Sequence, residues 1–202
     1  MTFRYTLRTL AAVLASAGAA TTGAQAPQEQ DQTGSHTIEA YVSSDAVQGL
    51  YQRDLSFEEI GRTHVYGGVF FNEARDLIAI AGALVRVGLT DPQDRLQVQI
   101  GPRMYGAFLN GEDQDIFGIG LGAEARYAFG PDRGSAFVLS AYYAPDILAF
   151  GIADEITDAS VRFETRLREG TTIFAGFRMF EFDLPLDREV DDNLHVGFRR
   201  DF

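Results

Sequence analysis

Residues 117 to 129 read Phe-Gly-Ile-Gly-Leu-Gly-Ala-Glu-Ala-Arg-Tyr-Ala-Phe. Phe117, Ile119, Leu121, Ala123, Ala125, Tyr127 and Phe129 alternate with Gly118, Gly120, Gly122, Glu124, Arg126 and Ala128. Successive side chains of an extended strand point to opposite faces, so this period of two predicts a β-strand with one apolar face and one of glycine and charge. The same pattern returns at residues 158–167, where Ala159, Val161, Phe163, Thr165 and Leu167 stand opposite Asp158, Ser160, Arg162, Glu164 and Arg166.

Working outward, similar segments broken by Gly, Asp, Asn and Pro predict strands at 36–42, 46–53, 62–71, 77–89, 96–109, 116–129, 135–145, 155–167, 171–182 and 193–202. From Ser35 onward no stretch of membrane-helix length is continuously apolar, so a helical span is excluded. A soluble sandwich gives the same alternation. The apolar faces, however, begin or end in aromatics, while the other faces carry glycine and charge pairs suited to a narrow interior. Phe117, Tyr127 and Phe129 would lie near two bilayer interfaces, and Phe70, Phe71, Phe108, Phe137, Tyr143, Phe180 and Phe182 also fall near strand ends. The expected fold is an all-β, transmembrane, antiparallel up-and-down barrel of ten strands. Residues 54–61 are long for a turn and the first two strands brief, so the alternative is an eight-stranded barrel behind a separate N-terminal segment.

The chain has 202 residues, with 17 arginines and no lysine against 29 acids, for a net charge of −12. This balance excludes a nucleic-acid binder, which needs a basic face. Without cysteine there is no disulfide framework, thiolate metal site or Cys nucleophile.

Residues 1–26 hold no acid. Arg4 and Arg8 precede the apolar run Leu10 to Ala15, and small residues lead to Ala24 and Ala26. That is the layout of a secretory signal peptide, 1–24 with cleavage possible after 26. Residues 25–34 are polar and read as a leader, leaving 35–202 for the barrel.

The last ten residues, Asn193-Leu194-His195-Val196-Gly197-Phe198-Arg199-Arg200-Asp201-Phe202, put Leu194, Val196, Phe198 and Phe202 on one face. This end resembles the C-terminal signal of bacterial outer-membrane barrels, which the assembly machinery reads as a free strand ending in Phe. Arg200 departs from the pattern where an apolar residue is usual, and its long stem can carry the charge to the headgroups. The layout from Ser35 to Phe202, with Phe117-Gly118-Ile119-Gly120-Leu121-Gly122-Ala123 and Phe137 to Pro145, also resembles the YfaZ family of small outer-membrane proteins. That resemblance implies fold and location and transfers no catalytic residue. The expected partners are outer-membrane lipid and lipopolysaccharide, the β-barrel assembly machinery and periplasmic chaperones.

On this phasing the lumen collects Arg62, His64, Arg103, Glu124, Arg126, Arg162, Glu164, Arg166, Arg178 and Arg199. Unpaired charges in a narrow interior are costly, so acids on neighbouring strands are expected to partner most of these arginines. Such a network would either plug the barrel and set strand register or line a narrow cation-excluding pore. A lipid-modifying enzyme is the rival class. His195 would lie near the outer rim with Asp191 and Asp192, His64 and His36 lie towards the periplasmic side, and Ser140 and Ser160 face inward, but no motif ties a Ser to a His. Glu112, Asp113 and Asp115 miss the spacing of a calcium loop. Gly118, Gly120 and Ala123 match a degenerate dinucleotide pattern inside a strand, where no helix follows to hold a pyrophosphate. We therefore expect no catalytic, cofactor or metal site. The outward connections carry ten acids and only Arg188, an acidic rim that divalent cations would bridge to lipopolysaccharide phosphates.

Overall fold

The structure is a computed structural model, which describes residues 35–57, 61–88, 95–110, 115–130, 133–184 and 188–202. The expected signal peptide and leader lie outside the described residues, as do Glu112, Asp113 and Asp187. The barrel strands are β1 (His36–Ser43), β2 (Ala46–Phe57), β3 (Gly61–Asn72), β4 (Leu77–Val87), β5 (Leu96–Phe108), β6 (Ile116–Phe129), β7 (Ser135–Ala144), β9 (Glu155–Arg168), β10 (Thr171–Asp183) and β11 (Arg188–Asp201). A 3-10 turn, Asp146–Leu148, and a two-residue strand β8, Ala149–Phe150, interrupt the connection from β7 to β9. Each barrel strand pairs antiparallel with its neighbours in sequence, and β1 pairs with β11 to close the ring. The fold is thus a ten-stranded up-and-down barrel, and the eight-stranded alternative is excluded.

Two boundaries differ from the sequence reading. Strand β2 runs on to Phe57 and β3 starts at Gly61, with Asp54 paired to His64 and Ser56 to Arg62, so the expected long 54–61 loop is a short link. Strand β11 begins at Arg188 instead of 193. Its first turns carry acids, which hid the alternation. A bulge at Phe180/Glu181 pairs Phe180 with Asp191 and Glu181 with Glu189, so Val190 and Asp191 are both buried although adjacent. Asp191 therefore belongs to the interior, not to the acidic rim.

The outward positions form an apolar band. Ile38, Val42, Val69, Ile100, Met104, Leu121, Leu139, Val161, Phe177 and Val196 are all exposed large hydrophobics, with Leu121 at 62%. Such a continuous apolar surface on a closed barrel is a lipid-facing surface. Aromatics flank it at both ends. At the end holding the two barrel termini, Phe129 stacks with Phe137 at 5.3 Å and with Phe163 at 6.0 Å; at the far end Phe117 stacks with Phe150 at 6.2 Å. Phe70, Phe180 and Phe182 do not join these girdles. They point inward and are at most 1% exposed.

The far half of the interior is consequently an apolar core. Phe180 meets Phe70 edge-on at 5.8 Å, Tyr105 at 5.6 Å and Phe182 at 5.3 Å. Ile78, Ile116 and Ile156 fill the spaces between strands. The fully buried Asp76 caps this core: its carboxylate accepts from Asn72 Nδ2 at 3.0 Å and from the Asn110 backbone N–H at 2.9 Å.

The inward glycines of β6 make room for rings and branched chains on neighbouring strands. A Cβ on Gly122 would lie 2.4 Å from Tyr142 Cδ1 and 2.2 Å from the Ala141 carbonyl oxygen, and one on Gly118 would lie 2.3 Å from Ile156 Cδ1. Gly106 has open space around it. Gly122→Ala is therefore expected to lower unfolding free energy by about 1–3 kcal/mol, the usual cost of overpacking. Gly106→Ala should leave the urea midpoint of the detergent-refolded protein unchanged, and equal midpoints for the two variants would contradict the packing described.

Candidate functional site

Below the apolar core, two charged layers cross the lumen. The first centres on Asp158 of β9, which is 1% exposed. Arg178 donates to it twice, Nε to Oδ1 and Nη2 to Oδ2, both at 2.9 Å. Arg103, from β5 three strands away around the ring, donates through Nη1 at 2.6 Å. Each guanidinium is then tied to an aromatic. Arg103 lies 3.6 Å from the centre of the Tyr142 ring and donates through Nε to Tyr66 Oη at 2.9 Å. Arg178 donates through Nη1 to Tyr41 Oη at 2.5 Å and Gln48 Oε1 at 2.7 Å. Tyr41 in turn donates to Asp191 Oδ2 at 3.3 Å. Planar guanidiniums suit this task because they bind carboxylate in a fork and stack on rings.

The second layer centres on Glu164, whose residue exposure is 0%. Arg199 grips both of its oxygens, at 3.0 and 3.1 Å. Arg162 Nε lies 2.9 Å from Oε1, and Arg126 Nε is 3.5 Å from Oε2. Arg162 also donates to Glu39 Oε1 at 2.7 Å.

The sequence-derived lumen set is thus mostly assembled. Arg103, Arg126, Arg162, Arg178, Arg199 and Glu164 join ion pairs, and Glu124 lines the same interior. Most partners sit across the lumen or two strands away, instead of on the neighbouring strand. Arg62 and Arg166 are exposed near the terminal end and stand outside these networks. Sequence reasoning missed Asp158, Glu39 and the ring partners Tyr41, Tyr66, Tyr105 and Tyr142. Their signal was parity: Thr37, Glu39 and Tyr41 alternate with Ile38, Ala40 and Val42, and Asp158 shares the face of Arg162 and Glu164.

A cavity of about 430 Å³ runs from the terminal end of the lumen along these charged residues as far as Asp158 and Arg178. At its mouth His64 Nδ1 lies 2.5 Å from Asp54 Oδ1, whose second oxygen accepts from Ser35 Oγ at 2.6 Å. His36 pairs with Tyr51 Oη at 2.5 Å. His195 is not at the rim: it pairs with Gly176 and Ser43 in register, packs against Tyr41 at 4.7 Å and is buried with Nδ1 unbonded among the described residues. Ser140 and Ser160 hydrogen-bond each other at 2.8 Å.

The expected assembly-signal residues Leu194, Val196, Phe198 and Phe202 all face outward and are exposed. The Phe202 backbone N–H donates to the His36 carbonyl at 2.8 Å, so the last residue fastens the seam. Arg200, the departure from the pattern, donates to Thr171 Oγ1 at 2.5 Å and lies 6.0 Å from the Phe202 ring, at the turn between β9 and β10.

No family model matches the chain, and no curated protein matches it in sequence. Among solved structures it is similar to a bacterial polysaccharide outer membrane secretin (TM-score 0.47, 13% identity, 78% of this chain and 56% of that one). It is also similar to the outer membrane channel DcaP of Acinetobacter baumannii (0.40, 10%, 81% and 54%) and to OmpT, an outer membrane protein of Vibrio cholerae (0.33, 11%, 83% and 56%). The chain spans little more than half the length of each.

Because Glu164 is the carboxylate that three guanidiniums approach, Glu164→Gln leaves buried positive charge uncompensated and is expected to cost about 3–5 kcal/mol in a urea titration of the refolded barrel. Arg166→Gln, at an exposed position, should change stability by less than about 0.5 kcal/mol. Equal effects of the two substitutions would refute the role given to Glu164.

Proposed function

We propose that the protein is an integral barrel of a Gram-negative outer membrane, with a structural or cell-surface role, no catalysis and no solute conduction. The observation that carries this reading is the filled far half of the lumen, where Phe70, Ile78, Ile116, Ile156, Phe180 and Phe182 are all at most 1% exposed. A barrel of this size is largely filled by its own side chains. A hydrated path through it would have to breach both this apolar core and the Asp158 layer.

The terminal end faces the periplasm, where short turns are usual, and the far end with its connections 109–115 and 145–154 faces outward. The partners are then outer-membrane lipid, lipopolysaccharide at the acidic rim, periplasmic chaperones during transit, and the assembly machinery that reads the outward face of β11. The YfaZ resemblance agrees with this role. An Arg-lined channel is disfavoured because Arg103, Arg162, Arg178 and Arg199 are each held by Asp158, Glu39 or Glu164. Lipid-modifying chemistry is disfavoured because Ser140 and Ser160 bond each other, with no hydrogen bond to a histidine among the described residues.

Planar-bilayer recording of the purified protein should give no stable unitary conductance; reproducible discrete openings would overturn the closed-lumen reading. Removal of Phe202 deletes the seam bond to His36 and the terminal ring of the assembly signal. Membrane yield of the folded protein should then fall several-fold, and an unchanged yield would count against the signal.

A further inference from the structure

The terminal cavity has a wall that the ion-pair layers leave unsatisfied. Strands β5 and β6 contribute four inward polar side chains in register, with Gln97 opposite Arg126 and Gln99 opposite Glu124. All four line the cavity and are half-buried. Arg162 and Arg199 are held close by Glu39 and Glu164, at 2.7 and 3.0 Å, whereas Arg126 only approaches Glu164, through Nε at 3.5 Å. Its two terminal amino groups have no partner among the described residues. Glu124 and the two glutamine amides likewise have no hydrogen-bond partner among the described residues. A carboxylate without a hydrogen bond and a guanidinium with its two terminal amino groups open give the cavity one cation-seeking and one anion-seeking end.

We propose that this wall binds a small zwitterion of the short-peptide class, entering from the end that holds the termini, with Glu124 taking its ammonium, Arg126 its carboxylate, and Gln97 and Gln99 its amide. The spacing sets the length. Successive inward positions on a strand lie about 7 Å apart, and two residues of extended peptide span about the same distance. A dipeptide laid along β6 therefore puts one terminus at each charge and its central amide between the glutamines. The volume of about 430 Å³ is ample for it. Guanidinium and carboxylate each gain charge-assisted hydrogen bonds of the stronger kind, in a space already half removed from water.

The test is titration calorimetry of the full-length barrel in detergent micelles, which is independent of whether the lumen conducts. The probes are L-alanyl-L-alanine, its N-acetyl form, which lacks the ammonium, and its C-terminal amide, which lacks the carboxylate. Alanyl-alanine should bind saturably at one site per chain, and each blocked form roughly tenfold more weakly or worse. Glu124→Gln should abolish the preference over the N-acetyl form while keeping that over the amide. Arg126→Gln should do the reverse. Far-UV circular dichroism checks that both variants keep the barrel, and the blocked peptides test the proposal on the unaltered protein if one does not. No saturable heat up to about 10 mM, a range that covers weak millimolar binding, would overturn the proposal. So would equal affinities for all three peptides, or preferences that survive both substitutions.

Discussion

Everything in this molecule depends on the pairing of β1 with β11. In hydrocarbon a backbone N–H or C=O has no water to turn to, so a sheet crosses a membrane only if it closes and leaves no edge. The seam runs from Thr37 opposite Asp201 to Ser43 opposite His195 and ends in the backbone exchange between His36 and Phe202. The shortest barrel strand thus has the closing task. It is helped from inside, because Glu39 and Tyr41, both on β1, receive hydrogen bonds from Arg162 and Arg178 on β9 and β10. The strand that closes the backbone ring is thus also a wall of the lumen network.

The lumen also shows how a barrel of fixed width is filled by two different means. Towards the far end the filling is aromatic and aliphatic, and its burial is favourable at roughly 1.5–3 kcal/mol per large side chain. Towards the middle it is ionic, and there desolvation offsets much of the attraction between charges. What the ionic layers contribute is connection: Arg103 joins β5 to β9, Arg162 joins β9 to β1, and Arg199 joins β11 to β9. These bonds run across the barrel, where backbone pairing cannot reach, and oppose its flattening. The glycines of β6 serve the same end, since Gly122 leaves the space that the Tyr142 ring occupies beneath Arg103.

Much of the fold was legible in the sequence because period-two alternation is a direct consequence of strand geometry, and it persisted through β5, β6, β7, β9 and β10. It failed where both faces share one character. Strand β4 is apolar on both sides, with Ile78, Ile80 and Leu84 facing the interior, so nothing in its pattern announced an apolar plug. The start of β11 is acidic on both faces, and the bulge at Val190 breaks its parity. The lumen arginines could be named from their strand faces, but their partners could not. Pairing to Asp158 and Glu39 follows from the curvature that brings distant strands opposite each other, and a one-strand pattern carries no curvature.

A closed barrel that presents its apolar face to lipid is tested by gel mobility with and without boiling, together with solubility in the absence of detergent. Such a barrel stays in solution only with detergent or lipid, and its unboiled form migrates as a compact band distinct from the boiled chain. A protein that is monodisperse without detergent, or whose mobility is the same before and after boiling, would contradict it.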